Sequence, residues 1–231
     1  DGHEKWIDFV LKFPHSNCIS DKPFSSFRKS YLLWCRKFGY NFSELKAKQI
    51  FNFACNCSPS LPLCPATSFL VVNAVSQLNA LNETLASLSE QMNSLSSSLP
   101  EYDTVMSFYG VGSVLGSQLI AEIGDVSRFK NKKALVGFAG IDAPPCQSGN
   151  YDPLSRSISK RGPALLRKVL FQIMSVILQN SPSDDPVFQF MDKKRAEGKH
   201  YYVYMMAAAN KFLRIYFARV TEHLNSLNAA A

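Results

Sequence analysis

Residues 102–129 read YDTVMSFYGVGSVLGSQLIAEIGDVSRF, an apolar segment of helical character that breaks at Gly110-Val111-Gly112 and resumes at once. Val114, Leu115, Leu119, Ile120 and Ile123 recur at helical spacing and predict a buried stripe on the second helix. The pattern over 102–124 is that of a helix–hairpin–helix. Two glycines let the backbone turn tightly. They also leave bare N–H groups at a helix N-terminus, where the dipole favours an anion. Gly110 and Gly112 are therefore candidate contacts to a nucleic-acid phosphate, although a tight turn between packed helices uses the same residues.

Downstream the charge becomes lopsided. The whole chain of 231 residues has a formal net charge of +7. Between Asp125 and Lys168 stand Arg128, Lys130, Lys132, Lys133, Arg156, Lys160, Arg161, Arg167 and Lys168, against Asp125, Asp142 and Asp152 alone. A positive excess concentrated beside glycine turns points to a polyanionic partner. A solvated surface face is the plainer alternative. Within this region ALVGFAGIDAPP (134–145) reads as a short buried segment that leads into PPCQSGNYDPLSRSISKRG (144–162). Gly162-Pro163 then signals a helix start with Pro at its first position. The helix that follows carries Leu165, Leu166, Val169, Leu170, Ile173, Val176 and Ile177 as a wide core-facing stripe. Lys160, Arg161, Gly162, Arg167 and Lys168 cluster about its first turns as a second candidate phosphate site. A last helical region runs from Val187 to Leu227.

Upstream, Leu78, Leu81, Leu85, Leu88, Met92, Leu95 and Leu99 step by alternating threes and fours. Such a seam, sustained over three heptads and narrower than a usual core-facing stripe, predicts a coiled-coil helix over 66–100 that Pro100 ends. It pairs subunits into a homo-oligomer or forms an arm within one chain. Residues 1–65 read as a helical appendage of short helices, closed by the proline-rich CSPSLPLCP. No β-strand alternation or βαβ rhythm appears anywhere, so the fold class is mainly α, with residues 101–231 as a third, C-terminal region.

Several classes are disfavoured by composition. An apolar content of 46% supports a core rather than disorder. Cys55, Cys57 and Cys64 lack the paired spacing and fourth ligand of a structural zinc site, and reduced thiols are the plainer reading. No window is long and apolar enough to span a membrane, and no signal peptide opens the chain. His200 and His223 read as surface or packing residues.

Three blocks in order, GVGSVLGSQLIAEIGDVSRFKNKKALVGFAGIDAPPCQSG, ISKRGPALLRK and AEGKHYYVYMMAAANKFLRIY, resemble the C-terminal transposase domain of the IS110 family of insertion-sequence recombinases. The resemblance covers about residues 101–222. It implies a DNA recombinase that cleaves and rejoins DNA through a serine nucleophile, with a coiled coil between this domain and an N-terminal RuvC-like domain. The serine of the Ser-Gly pair, Ser148, is the best match to the family nucleophile, with Ser159 as fallback, on an active-site loop over 144–162. A Ser-Gly turn without chemistry is the alternative. The family's RuvC-like domain carries an Asp-Glu-Asp-Asp metal site, so Mg2+ is expected there and no metal is expected on this chain. Asp125 and Asp142 belong to the C-terminal blocks and are not assigned as ligands. No counterpart of the RuvC-like domain precedes residue 1, and the chain alone is expected to be inactive. The resemblance further implies DNA, a homo-oligomer and, for some members, a structured guide RNA as partners, in a bacterial-type cytoplasm with nucleoid association during activity. The alternative reading is a non-catalytic nucleic-acid-binding and oligomerisation fragment of a truncated transposase.

Overall fold

Eleven α-helices and one 3-10 turn make up the described part of the chain, residues 2–143 and 157–230 of a computed structural model, and no strand occurs among those residues. The mainly α expectation holds. The chain divides into two compact units, Asp1–Ala86 and Ser87–Ala231, with the boundary inside one long helix.

The first unit contains α1 (Gly2–Lys12), α2 (Asn17–Ser20), α3 (Phe24–Lys37), α4 (Glu44–Asn56) and the start of α5 (Pro65–Ser97). Its core is aromatic. Phe9 meets Trp34 edge to face at 5.6 Å, and Tyr31 stacks on Trp34 at 5.6 Å. Both are geometries that the ring quadrupole favours. Tyr40 donates a 2.7 Å hydrogen bond to Asp8, and that carboxylate holds the phenol's pKa up at about 12. The 33 residues of α5 span roughly 50 Å. Its heptad leucines face outward: Leu78, Leu81, Leu88 and Leu95 are 46%, 62%, 51% and 73% exposed.

In the second unit, α9 (Ala164–Asn180) is the buried axis. Leu166, Val169, Leu170, Ile173, Met174 and Ile177 are all at or near zero exposure, on a stripe with helical spacing. On it pack α7 (Ser113–Ile123), α8 (Lys132–Ala139), α10 (Pro186–Ala196) and α11 (Tyr201–Ala230), while α6 (Tyr102–Met106) packs on α7 and α11. From α11 come Met205, Ala208, Ala209, Phe212, Leu213, Tyr216 and Val220, all buried. The end of α5 is tied to this unit by polar bonds: Ser96 and Ser117 share a buried 2.6 Å hydrogen bond, and Tyr102 donates to Asn93 at 2.8 Å.

Some expectations are corrected in detail. The segment before the glycines folds as only five helical residues, α6, shorter than the helix expected there. The buried segment at Ala134 is part of a helix, α8, which Asn131 caps by accepting from the N–H groups of Lys133 and Ala134. Val114 and Leu165, expected on core-facing stripes, are 49% and 61% exposed, because each sits one residue outside the arc that its helix buries. Pro163 is the extended N-cap of α9, rather than its first helical residue. The last helical region is two helices, α10 and α11, parted at Gly198, whose φ of 72° a continuing helix does not adopt.

One backbone crossing fixes how the second unit presents its charges. α8 ends at Gly140, with φ 66°. There the chain from Lys160 to Gly162 passes so close that a Cβ on Gly140 would lie 2.7 Å from the Gly162 nitrogen. A Cβ on Gly162 would lie 1.6 Å from the Phe138 carbonyl oxygen, a contact that only backbone movement could relieve. By contrast, a Cβ added at Gly137 would meet nothing within 4 Å. We therefore expect Gly162→Ala to destabilise the chain by about 1–3 kcal/mol or more, as overpacking does. Gly137→Ala should be neutral or stabilise by up to about 1 kcal/mol through helix propensity. Thermal melts followed by far-UV circular dichroism compare the two.

Candidate nucleic-acid interface

The crossing continues as a short antiparallel clasp. Ser159 donates its backbone N–H to the Asp142 carbonyl at 2.8 Å, and Lys160 donates to the Gly140 carbonyl at 2.9 Å. The Ser159 hydroxyl also donates to the Asp142 carboxylate at 2.5 Å. Lys160, with φ 54°, is held in the left-handed region that non-glycine residues avoid. Arg167 locks the arrangement from below. Its guanidinium donates to the carbonyls of Gly162 at 2.7 Å and of Ala139 and Pro163 at 3.3 Å each. Carbonyls of the α8 C-terminus and the α9 N-terminus thus share one cation, which suits the negative end of the α8 dipole.

Beside this clasp lies a groove of about 1100 Å³ between α9, α10 and α11. Its floor and walls are apolar, from residues such as Ile141, Ile158, Phe171, Phe190 and Met206. Its charges are all positive: Lys160, Arg167, Lys168, Lys211 and Arg214 line it, and no described Asp or Glu does. Tyr202, 61% exposed, lies nearly parallel to Phe171 at 6.2 Å and 28°. Ala143 and Ser157, the described residues on either side of 144–156, both line the rim.

The structure sorts the sequence-derived residues into separate places. Lys160, Arg167 and Lys168 come together in the groove, although Arg167 is engaged with carbonyls. Arg161 is exposed but does not line the groove, and Gly162 serves the crossing. Gly110, with φ 77°, packs against Ile173 and Ile177 near the other end of α9; a Cβ there would meet Ile177 at 3.1 Å. Nine residues of helix, about 13 Å, separate Ile177 from Lys168. Gly112 is the N-cap of α7 and is followed by a helix with no side-chain cap. Arg128 stacks over Phe129 and Phe138 at 4.7 and 4.5 Å, a pair of cation–π contacts. Lys130, Lys132 and Lys133 lie at the start of α8, away from the clasp at its end. Ser148 lies outside the described residues, as do Cys146 and Arg156. The five described cysteines are free, and among the described residues no three His, Cys, Asp or Glu side chains come together to hold a metal. No helix among them is long and apolar enough to cross a membrane.

Sequence reasoning did not find Phe171, Phe190, Tyr202, Asn210, Lys211 and Arg214. A signal existed in α11: Tyr202, Met206 and Asn210, with Val203, Ala207, Lys211 and Arg214, fall on one face at steps of three and four. Polar residues on an otherwise apolar helix mark that face as something other than core.

The groove's cations suit an anionic ligand, and comparison with known proteins shows what the chain is similar to. The chain matches the model of the Transposase IS116/IS110/IS902 family over residues 102–188. It is 27% identical over 122 residues to the uncharacterised 42 kDa protein of insertion element IS900 of Mycobacterium paratuberculosis, covering 52% of this chain and 30% of that protein. It is 24% identical over 153 residues to the uncharacterised 43.6 kDa protein of insertion element IS110 of Streptomyces coelicolor, covering 66% of this chain and 37% of that protein. It is 24% identical over 164 residues to the transposase for insertion sequence element IS1111A of Coxiella burnetii, covering 71% of this chain and 45% of that protein. The chain thus matches less than half the length of each of these relatives.

The groove cations give a measurable expectation. Binding of a mixed-sequence duplex should weaken linearly in log–log plots against salt, with a slope of about −0.9 per phosphate neutralised. Replacing Lys168, Lys211 and Arg214 together by Gln should make that slope shallower by about 2–3. Replacing Lys130, Lys132 and Lys133 should change it less. Fluorescence anisotropy over a salt series measures both.

Proposed function

We propose that this chain is the C-terminal part of an IS110-type DNA transposase, which cleaves and rejoins DNA through a serine nucleophile in concert with a RuvC-like domain outside these 231 residues. The observation that carries this reading is the cationic groove that Ala143 and Ser157, the described residues flanking 144–156, both line. Ser148 is five residues from Ala143, so an extended chain keeps it within roughly 17 Å of that rim. In this scheme the Ser148 hydroxyl oxygen forms a bond to phosphorus while the bond to a sugar oxygen breaks. One strand is left as a phosphoserine ester and the other with a free hydroxyl, so bond energy is kept for rejoining. Lys160, Lys168, Lys211 and Arg214 supply the positive field that the crowded phosphorus centre needs. Arg167 donates to the carbonyls of Ala139, Gly162 and Pro163 and so holds the clasp beside them.

A serine hydroxyl is a weak nucleophile at its free pKa and must lose its proton to a base or to a metal-bound group. No described His, Asp or Glu lines the groove. Among the described residues no three His, Cys, Asp or Glu side chains cluster, and in this reading the RuvC-like domain supplies the activating group. Ser159, the fallback nucleophile, donates its hydroxyl to the Asp142 carboxylate within the clasp. The Gly110-Val111-Gly112 turn and the open α7 N-terminus are proposed to hold a second stretch of DNA backbone. A guide RNA belongs to the same reading as a further polyanionic partner, and action on bacterial DNA places the protein in the cytoplasm, at the nucleoid.

In a full-length protein carrying this chain, Ser148→Ala should abolish covalent attachment of DNA to the protein, while duplex affinity changes less than about twofold. Denaturing electrophoresis with mass spectrometry of the adduct reads this. An adduct that survives in Ser148→Ala and disappears in Ser159→Ala would transfer the role to Ser159. Salt-sensitive binding with no adduct in the unaltered protein would leave only a nucleic-acid-binding fragment.

The α5 seam supports a homo-oligomer. Heptad leucines about half or more exposed on a helix of some 50 Å match the geometry by which two helices bury an a/d seam against each other. Replacing Leu81 and Leu88 by Asn should shift the chain from dimer to monomer in sedimentation velocity; an unchanged sedimentation coefficient would remove the coil from the interface.

A further inference from the structure

Phosphate contacts account for the lysines of the groove but not for its interior. A rigid duplex presents phosphates and sugars on a convex cylinder, and cations on a flat or ridged face are enough to hold it. This site is concave, apolar within, and walled on one side by an exposed tyrosine. Tyr202 projects at the mouth with 61% of its surface exposed, backed by Phe171 at 6.2 Å and flanked by His200 at 5.8 Å. Phe171 and Tyr202, nearly parallel to each other, both line the groove. Asn210, with both donor and acceptor atoms, lines the same cavity.

An apolar interior, an aromatic wall and an all-cationic rim together match one ligand chemistry: a planar heterocycle attached to a phosphate. We infer that the groove receives an unpaired nucleotide of a single strand, with its base stacked on Tyr202 and its flanking phosphates on Lys168, Lys211 and Arg214. The inference rests on the reading of this domain as nucleic-acid-binding and adds that the strand in the groove is unpaired. Proteins that hold single strands combine a basic groove with aromatic side chains in this way, and stacking tolerates any base because every base has a π-face. The groove's volume, about 1100 Å³, slightly exceeds the range of pockets that enclose small ligands. The exposed position of Tyr202 lets it be changed without disturbing the α9–α11 core.

The test uses the full chain and four probes: a single-stranded DNA of about 12 nucleotides with a central 2-aminopurine, within the span that one binding module covers, the RNA of the same sequence, the DNA duplex, and a duplex with one unpaired central 2-aminopurine. Binding should quench 2-aminopurine fluorescence in the single strands and in the duplex with the unpaired base. Tyr202→Leu should abolish the quench and weaken single-strand binding about 5- to 100-fold, the loss expected for one stacked base. Its affinity for the full duplex should change less than about twofold, and its melting temperature should match the parent. Tyr202→Phe, which keeps the ring, should behave as the parent does. The DNA and RNA arms identify which strand the groove prefers.

Equal loss of duplex and single-strand affinity in Tyr202→Leu would overturn the inference, since the ring would then serve the backbone contact. An unchanged quench would overturn it as well, because the base would be stacking elsewhere. Binding of the full duplex with no binding of any unpaired probe would overturn the inference and leave the nucleic-acid reading standing. Failure of all four probes would overturn both.

Discussion

The second unit depends on two glycines that let one stretch of backbone lie against another. At Gly140 and Gly162 the end of α8 and the approach to α9 are closer than any side chain permits. Because the chains touch there, the guanidinium of Arg167 reaches carbonyls on both sides of the crossing, and Asp142 and Ser159 can pair. Those pairs lie next to Ala143 and Ser157, which both line the groove. A long insertion closed by a tight stem costs little more entropy than a short one. The crossing can therefore close a long connection without loosening the core beneath it.

α9 performs two tasks along one helix. Its buried stripe from Leu166 to Ile177 is packed on by α7 and α11, while its first turns offer Lys168 to the groove. The hairpin glycine Gly110 rests on the far half of the same helix.

Local patterns in the sequence carried much of this. Gly-Pro before an apolar stripe marked the start of α9, the heptad leucines marked α5, and the paired glycines marked the turn into α7. Each signal is confined to one element, so each can be read from neighbouring residues. The groove is different: Lys160, Phe171, Phe190, Tyr202 and Arg214 are spread over more than fifty positions and meet only because α9, α10 and α11 pack together. Arg167 shows the opposite failure. Its place in a basic cluster suggests a phosphate clamp, but the crossing places carbonyls within its reach, and nothing in its neighbours announces them. Val114 and Leu165 escape the periodic reading because an apolar residue at the edge of a helical stripe faces core or solvent according to which neighbour is present.

If the groove between α9 and α11, with its clasp, is where this domain takes hold of nucleic acid, hydrogen–deuterium exchange of the whole chain tests it most directly, with and without a saturating oligonucleotide. Exchange should slow in peptides from residues 157–168 and 200–214, at the clasp, the first turns of α9 and the start of α11. Protection confined to the hairpin around 108–114 or to the first unit, with the groove peptides unchanged, would contradict it.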